Sequence, residues 1–161
     1  MLKGIINSIG ASPSVIRMSA DGDDIIIGDP DTTLHADADD NIIIGQNALD
    51  STSGAALKNI AIGTNALTAL TTGDDNICIG YDAGDAMTTS SNCVLIGRNA
   101  GTAINHADAD GTTIVGRDAG EKMTTGAGNV AVGYKALNDV VEGGYNTAIG
   151  YNAFGGALDA T

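Results

Sequence analysis

Aromatic side chains are nearly missing from this sequence: one Phe, no Trp and four Tyr make up 3% of the chain. Without them a broad globular core is not expected, and abundant Gly, Ala and Ile suit a narrow interior closed by tight corners. Basic residues are also scarce. Seven Lys and Arg against twenty Asp and Glu give a formal net charge of -13, which argues against phosphate-backbone binding, because that affinity comes from clustered cations. No nucleic-acid partner is therefore expected, and the acidic excess reads as a solvated surface that keeps a long β-structure from self-association. Cys78 and Cys93 stand fifteen apart with no Cys-x-x-Cys pair, so neither zinc nor a disulfide framework is indicated. Both read as reduced thiols, Cys78 in a small apolar slot. No run approaches the roughly 18 apolar residues of a membrane helix. The opening Met1–Gly10 holds a Lys and lacks a continuous apolar segment, so neither membrane insertion nor a secretory signal is expected.

What the chain does contain is a repeat. The stretch Asn59-Ile-Ala-Ile-Gly-Thr-Asn-Ala66 returns as Asn41–Ala48, Asn76–Ala83, Asn129–Ala136 and Asn146–Ala153, with looser copies ending at Gly28, Gly97 and Gly116. The marker glycines Gly28, Gly45, Gly63, Gly80, Gly97, Gly116, Gly133 and Gly150 are separated by 17, 18, 17, 17, 19, 17 and 17 residues. Such regularity predicts a solenoid whose units bury their apolar faces only against neighbours. Each unit reads as one strand and one corner. Ile60 and Ile62 share a strand face and Ala61 points the other way. Gly63 permits a positive φ or a close backbone approach, Asn65 suits a left-handed corner, and Ala66 tucks into the thin interior. Clusters such as Thr71–Asp75 and Thr124–Gly128 supply turns.

The position two before each marker glycine reads Ile26, Ile43, Ala61, Cys78, Leu95, Ile114, Ala131 and Ala148. None is polar, so both faces of the strand are expected to be buried. One face is assigned to the coil's own interior. The other, this eight-residue column, is assigned to a seam with identical chains, closed by cyclic symmetry. Residues 1–24 fall outside the repeat and form an N-terminal anchor or cap segment, with a break at Gly10–Pro13 and a short strand Val15–Met18; residues 25–161 form the roll domain. The apolar Leu2, Ile5, Ile6 and Ile9 are the candidate anchor, since they would be costly if left in water. The only Phe, Phe154, occupies a place filled by Leu or Gly in earlier repeats and is expected to plug the open end.

Equal offsets stack on adjacent coils, so columns can be read down the repeats. Lys58 between Asp40 and Asp75 suggests an exposed charge ladder of little energetic weight. One residue after the glycine, Arg98 and Arg117 stack as like charges, tolerable in solvent or beside Asp82 or Asp118; Tyr134 and Tyr151 share the column as a tyrosine ladder or a ligand patch. His35-Ala-Asp-Ala-Asp39 recurs as His106-Ala-Asp-Ala-Asp110 in the same register. Alternating Asp is reminiscent of calcium ligands, and His with two carboxylates could hold a transition metal. The later ligands of a calcium loop are missing, so a polar turn is the preferred reading of His35, Asp37, Asp39, His106, Asp108 and Asp110, and no required metal is expected. No nucleophile elbow, phosphate loop or zinc-protease motif occurs, and the carboxylates sit in turns; no catalytic residue and no cofactor are expected.

The pattern Asn-x-Ala-Ile-Gly-x-x-Ala, over about residues 25 to 154, resembles the head repeats of YadA-type trimeric autotransporter adhesins and the short repeats of bacteriophage tail and head fibre proteins. The resemblance implies an all-β repeat solenoid: a left-handed parallel β-roll of about eight 17-residue coils, as an intertwined or side-by-side homotrimer. The adhesins also carry a secretion signal, a coiled-coil stalk and a membrane anchor, none visible in these residues, so a virion location and a fibre or decoration role are expected. The partners would be a capsid or tail protein, docked through residues 1–24, and a host-surface glycan or protein. Ile-Gly-x-x-Ala is also similar to the hexapeptide of left-handed β-helix acyltransferases, in which His106 would be the active-site candidate. Those enzymes run three hexapeptides per coil of 18, whereas here one is clear per coil.

Overall fold

The computed structural model describes residues 6–7, 15–18, 24–27 and 37–155. Ten short strands form one sheet in chain order: β1 (Ile6–Asn7), β2 (Val15–Met18), β3 (Ile25–Ile27), β4 (Ile42–Ile44), β5 (Ile60–Ile62), β6 (Ile77–Ile79), β7 (Val94–Ile96), β8 (Thr113–Val115), β9 (Val130–Val132) and β10 (Thr147–Ile149). The first three pair antiparallel, so β2 lies along the outer edge of the first rung. From β3 onward every pairing is parallel and in register, Ile42 beside Ile60 beside Ile77. Eight parallel strands, one per turn, make an all-β solenoid of about seven turns of about 17 residues. Of the candidate anchor, Ile6 begins β1, while Leu2, Ile5 and Ile9 lie outside the described residues.

Closing a turn in so few residues requires the chain to reverse direction repeatedly, and each turn does so with left-handed backbone at fixed offsets. In one turn these are Lys58 (φ 58°), Gly63 (130°), Asn65 (59°) and Leu67 (54°), and the other turns repeat the set. Asn and Asp fill most places two after the marker glycine because their short polar side chains tolerate this conformation. The site four after the glycine is less easily explained by propensity, since Leu49, Leu67 and Leu137 adopt it at a cost of about 1–3 kcal/mol each. Their complete burial offsets that strain. At the markers the constraint is absolute contact as well as φ: a Cβ on Gly97 would overlap the carbonyl of Gly116 one turn on.

The column Ile26, Ile43, Ala61, Cys78, Leu95, Ile114, Ala131 and Ala148, expected to form a seam between chains, lies inside the coil instead, each residue at most 4% exposed. The flanking strand residues face outward, half-buried or exposed. Strand geometry allows either assignment; interior volume decides it. The middle residue of each three-residue strand meets the side chain four after the glycine across a thin core, and the two sizes compensate. Ala61 and Ala131 accompany the buried Leu67 and Leu137, whereas Cys78, Leu95 and Ile114 accompany Gly84, Gly101 and Gly120. A Cβ on Gly120 would sit 2.6 Å from Ile114 Cδ1, so the two positions share one space. The turn with Ile43 and Leu49 fills both. Phe154, expected as a plug, is instead 66% exposed in the last described rung, where Ala148 is the inward strand residue.

Polar atoms complete the core. Asn41, Asn59, Asn76 and Asn129 are fully buried at the start of their strands. Each side-chain oxygen accepts from the backbone N–H one turn on: Asn41 from Asn59 (2.9 Å), Asn59 from Asn76 (3.0 Å), Asn76 from Cys93 (3.0 Å), Asn129 from Asn146 (2.9 Å). Their amides cross the interior to carbonyls of the opposite wall, Asn59 to Gly73 and Asn76 to Ser90, both at 2.9 Å. The ladder is interrupted where Cys93 and Thr112 take the Asn place, beside the 19-residue turn that holds a 3-10 turn at Ala107–Ala109.

Two substitutions test this account. Asn59→Ala strands the buried Asn76 N–H and one hydrogen of its amide, each costing about 1–3 kcal/mol; denaturant unfolding should show a loss of at least that size, with Asn59 and Asn76 replacements non-additive. Gly97→Ala should separate adjacent turns and abolish cooperative unfolding, whereas replacing the open Gly111, whose Cβ meets nothing, should cost little beyond its φ of 70°.

Candidate functional site

Two surfaces of the roll combine order with exposure. The first is the outer face of β3 to β10. Its two columns are Ile25, Ile42, Ile60, Ile77, Val94, Thr113, Val130, Thr147 and Ile27, Ile44, Ile62, Ile79, Ile96, Val115, Val132, Ile149. All are β-branched and only two carry a hydroxyl, so the face is flat, stiff at χ1 and apolar. Between the ends the rungs shield one another, and exposure rises to 38% at Ile25 and 69% at Ile149.

The second surface is the column one after each marker glycine, running Tyr81, Arg98, Arg117, Tyr134 and Tyr151 on consecutive turns. Backbone bonds hold the rungs together, from Asn99 N–H to the Tyr81 carbonyl and from Asp118 N–H to the Arg98 carbonyl. The Arg98 guanidinium lies 5.6 Å from the Tyr81 ring centre and that of Arg117 5.8 Å from Tyr134, so the two like charges lean apart toward opposite rings. Lys135 adds a third cation 5.4 Å from Tyr134. Tyr134 and Tyr151 stack tilted at 5.3 Å. The nearly buried Asp118 accepts from Asn99 Nδ2 at 2.9 Å and meets Arg117 Nε at 3.2 Å, which fixes that guanidinium. The acid anticipated beside the arginines is thus present for Arg117. Lys58 is exposed on another side.

The His-Ala-Asp-Ala-Asp segments have local tasks. His106 caps the 3-10 turn, its Nδ1 accepting from Asp108 N–H and standing 3.2 Å from Asp108 Oδ2, both side chains well exposed. Asp110 turns to the previous coil and accepts from Ser91 N–H at 2.8 Å. That bond belongs to a second ladder, in which Ser91 Oγ accepts from Asp74 N–H and Asp74 from Leu57 N–H. Asp39 pairs in parallel with Leu57, Asp37 is exposed, and His35 lies outside the described residues. Among the described residues no three His, Cys, Asp or Glu side chains gather into a set that could hold a metal ion. The buried asparagine ladder was the feature sequence reasoning overlooked; its signal was the Asn that opens the repeat.

Cys78 and Cys93 are free and buried. Burial pushes the Cys78 thiol well above the ordinary range, reinforced by Cys93 nearby, and burial also raises Cys93. Asp85 is raised too, first by burial and then by Asp82. Neither a family model, a curated protein nor a solved structure matches this chain.

The raised thiols predict an alkaline limit to stability. The folded chain holds their protons more tightly than the unfolded one, so their contribution is intact below the ordinary thiol pKa of about 8.5 and falls above it, by up to about 1.4 kcal/mol per pH unit per thiol. Cys78→Ala, which copies Ala61 of the preceding rung, should make the fall between pH 8.5 and 10.5 measurably shallower in denaturant titrations. Thiol labelling of the parent chain should await global unfolding.

Proposed function

We propose that this chain is a non-enzymatic structural module of a phage virion, a head fibre, capsid decoration or tail-fibre piece. Copies pack through the β3–β10 outer face into a trimer, residues 1–24 dock to a capsid or tail protein, and the roll projects toward a host-surface glycan or protein. The observation that carries this reading is the sixteen-residue β-branched face. An extended apolar surface in a chain of net charge -13 favours self-association there, because contact through that face buries apolar side chains without bringing acids together. Closed cyclic symmetry satisfies such a face in identical copies without leaving an open end. The virion placement rests on the resemblance of the repeat to fibre proteins. Seven rung spacings of about 4.8 Å give a rod of roughly 34 Å, suited to a short projection. The pairing of β1 and β2 onto the β3 edge of the sheet supports a docking role for residues 1–24 at that end.

Light scattering is expected to give three chain masses. Ile62→Asp, on the outer face, should lower the mass to that of one chain while retaining the far-ultraviolet β signal; Ile114→Asp, inside the coil, should unfold it. A folded monomer for the parent chain would overturn the assembly. Deleting residues 1–12 should abolish incorporation into particles and leave the trimer intact; unimpaired incorporation would assign docking to the roll.

A further inference from the structure

We propose that the Tyr81–Arg98–Arg117–Tyr134–Tyr151 stripe, with Lys135, binds a linear glycan carrying carboxylates at intervals. This deepens the attachment part of the reading above, but it rests on different residues from the trimer face.

The charge distribution is the first argument. The whole chain has seven Lys and Arg, and three of them stand on or beside this one column although acids dominate elsewhere. Lys122, by contrast, is committed to Asp139. The cations are also presented for recognition. A guanidinium laid over a tyrosine ring keeps its in-plane N–H groups at the edge, where a carboxylate can take two of them. Asp118 engages Arg117 through Nε, a contact that orders the side chain without using its terminal amino groups, so less entropy is lost on binding. The aromatic rings supply the second element. Tyr81 is 48% and Tyr151 79% exposed, and such rings stack on the C–H faces of sugars while the hydroxyl reaches polar groups.

Shape selects the ligand class. Five rungs at about 4.8 Å make a shallow strip of roughly 19 Å, which matches an extended chain lying along the roll rather than a compact molecule. A single-stranded nucleic acid would also find rings and cations there, but it carries a charge on every unit and meets the field of a chain at -13, without the continuous basic groove that such binding uses. A glycan with neutral rings between its carboxylates places charge only where the two arginines stand.

The test is calorimetry of the intact chain with hyaluronan, unsulfated chondroitin and heparosan, whose carboxylates alternate with neutral rings, and with neutral dextran and poly(dT) as comparisons. At least one acidic glycan should bind, dextran should not, and poly(dT) should bind at least about tenfold more weakly than that glycan. The Arg98→Ala/Arg117→Ala double variant should lose about tenfold or more in glycan affinity, and Tyr134→Ala should also weaken it, with Lys58→Ala unchanged. Failure of all three acidic glycans, equal binding by the double variant, or equal binding of poly(dT) would overturn the proposal. So would a changed light-scattering mass in the double variant, which would make the stripe a contact between copies. Loss of glycan binding with an unchanged trimer mass isolates this site from the assembly.

Discussion

Everything in this molecule depends on how closely successive turns can approach. From Gly45 to Gly133 the backbone at each marker lies against the carbonyl of the next marker, with no room for a Cβ, and that contact sets the register of the columns. Once the turns are locked at strand spacing, the side chains have few choices left. The strand contributes one residue inward and two outward, and the four left-handed corners bring the chain back to the same angular position about 17 residues later. The 18-residue turn between Gly45 and Gly63 keeps its strands in register, so length varies only outside the strand and its corners. The wider turn before Gly116 absorbs its two extra residues around a 3-10 turn that buries Ala109 and exposes Asp108, away from the stacked glycines.

Locked spacing also explains how so thin a core is satisfied. Complementary sizes, Ala with Leu and Ile or Leu with Gly, keep the volume of most turns nearly constant, so a core without aromatic residues still packs. The buried asparagines do what neither apolar residues nor water could do in that space. Their oxygens cover backbone donors of the next turn and their amides tie the strand to the opposite wall. Such a network is specific to one register, because a shifted neighbour would leave its polar groups buried and unpaired.

The same stacking turns single residues into surfaces. One β-branched residue repeated eight times becomes an apolar face, and one tyrosine or arginine repeated on five turns becomes a stripe. Exposed chemistry in this architecture is therefore linear and periodic. The two surfaces also differ in chemistry: the sheet face favours dry contact between flat rigid partners, and the tyrosine–arginine stripe favours a hydrated, charged one.

The sequence by itself determined the solenoid, the length of its turns, the position of each strand, the left-handed Asn and Asp corners after the markers and the burial of the Ala column ending each motif. These follow from local chemistry: glycine for close approach, Asn for positive φ, β-branched residues for strands. It also showed that both strand faces are apolar, but it could not say which one is inside. Alternation has period two and is indifferent to direction, so Ile60 and Ile62 were equally admissible as core and Ala61 as seam. Only the closed coil decided that, because its interior takes one side chain from each three-residue strand and, in most turns, trades its volume against a residue six positions later. The trace of that exchange was present in the pairing of Ala61 with Leu67 and Ile114 with Gly120, but its meaning depended on two distant corners meeting across the core. The turning of Asp110 toward Ser91 was settled in the same way, by which rung stands next to it in space.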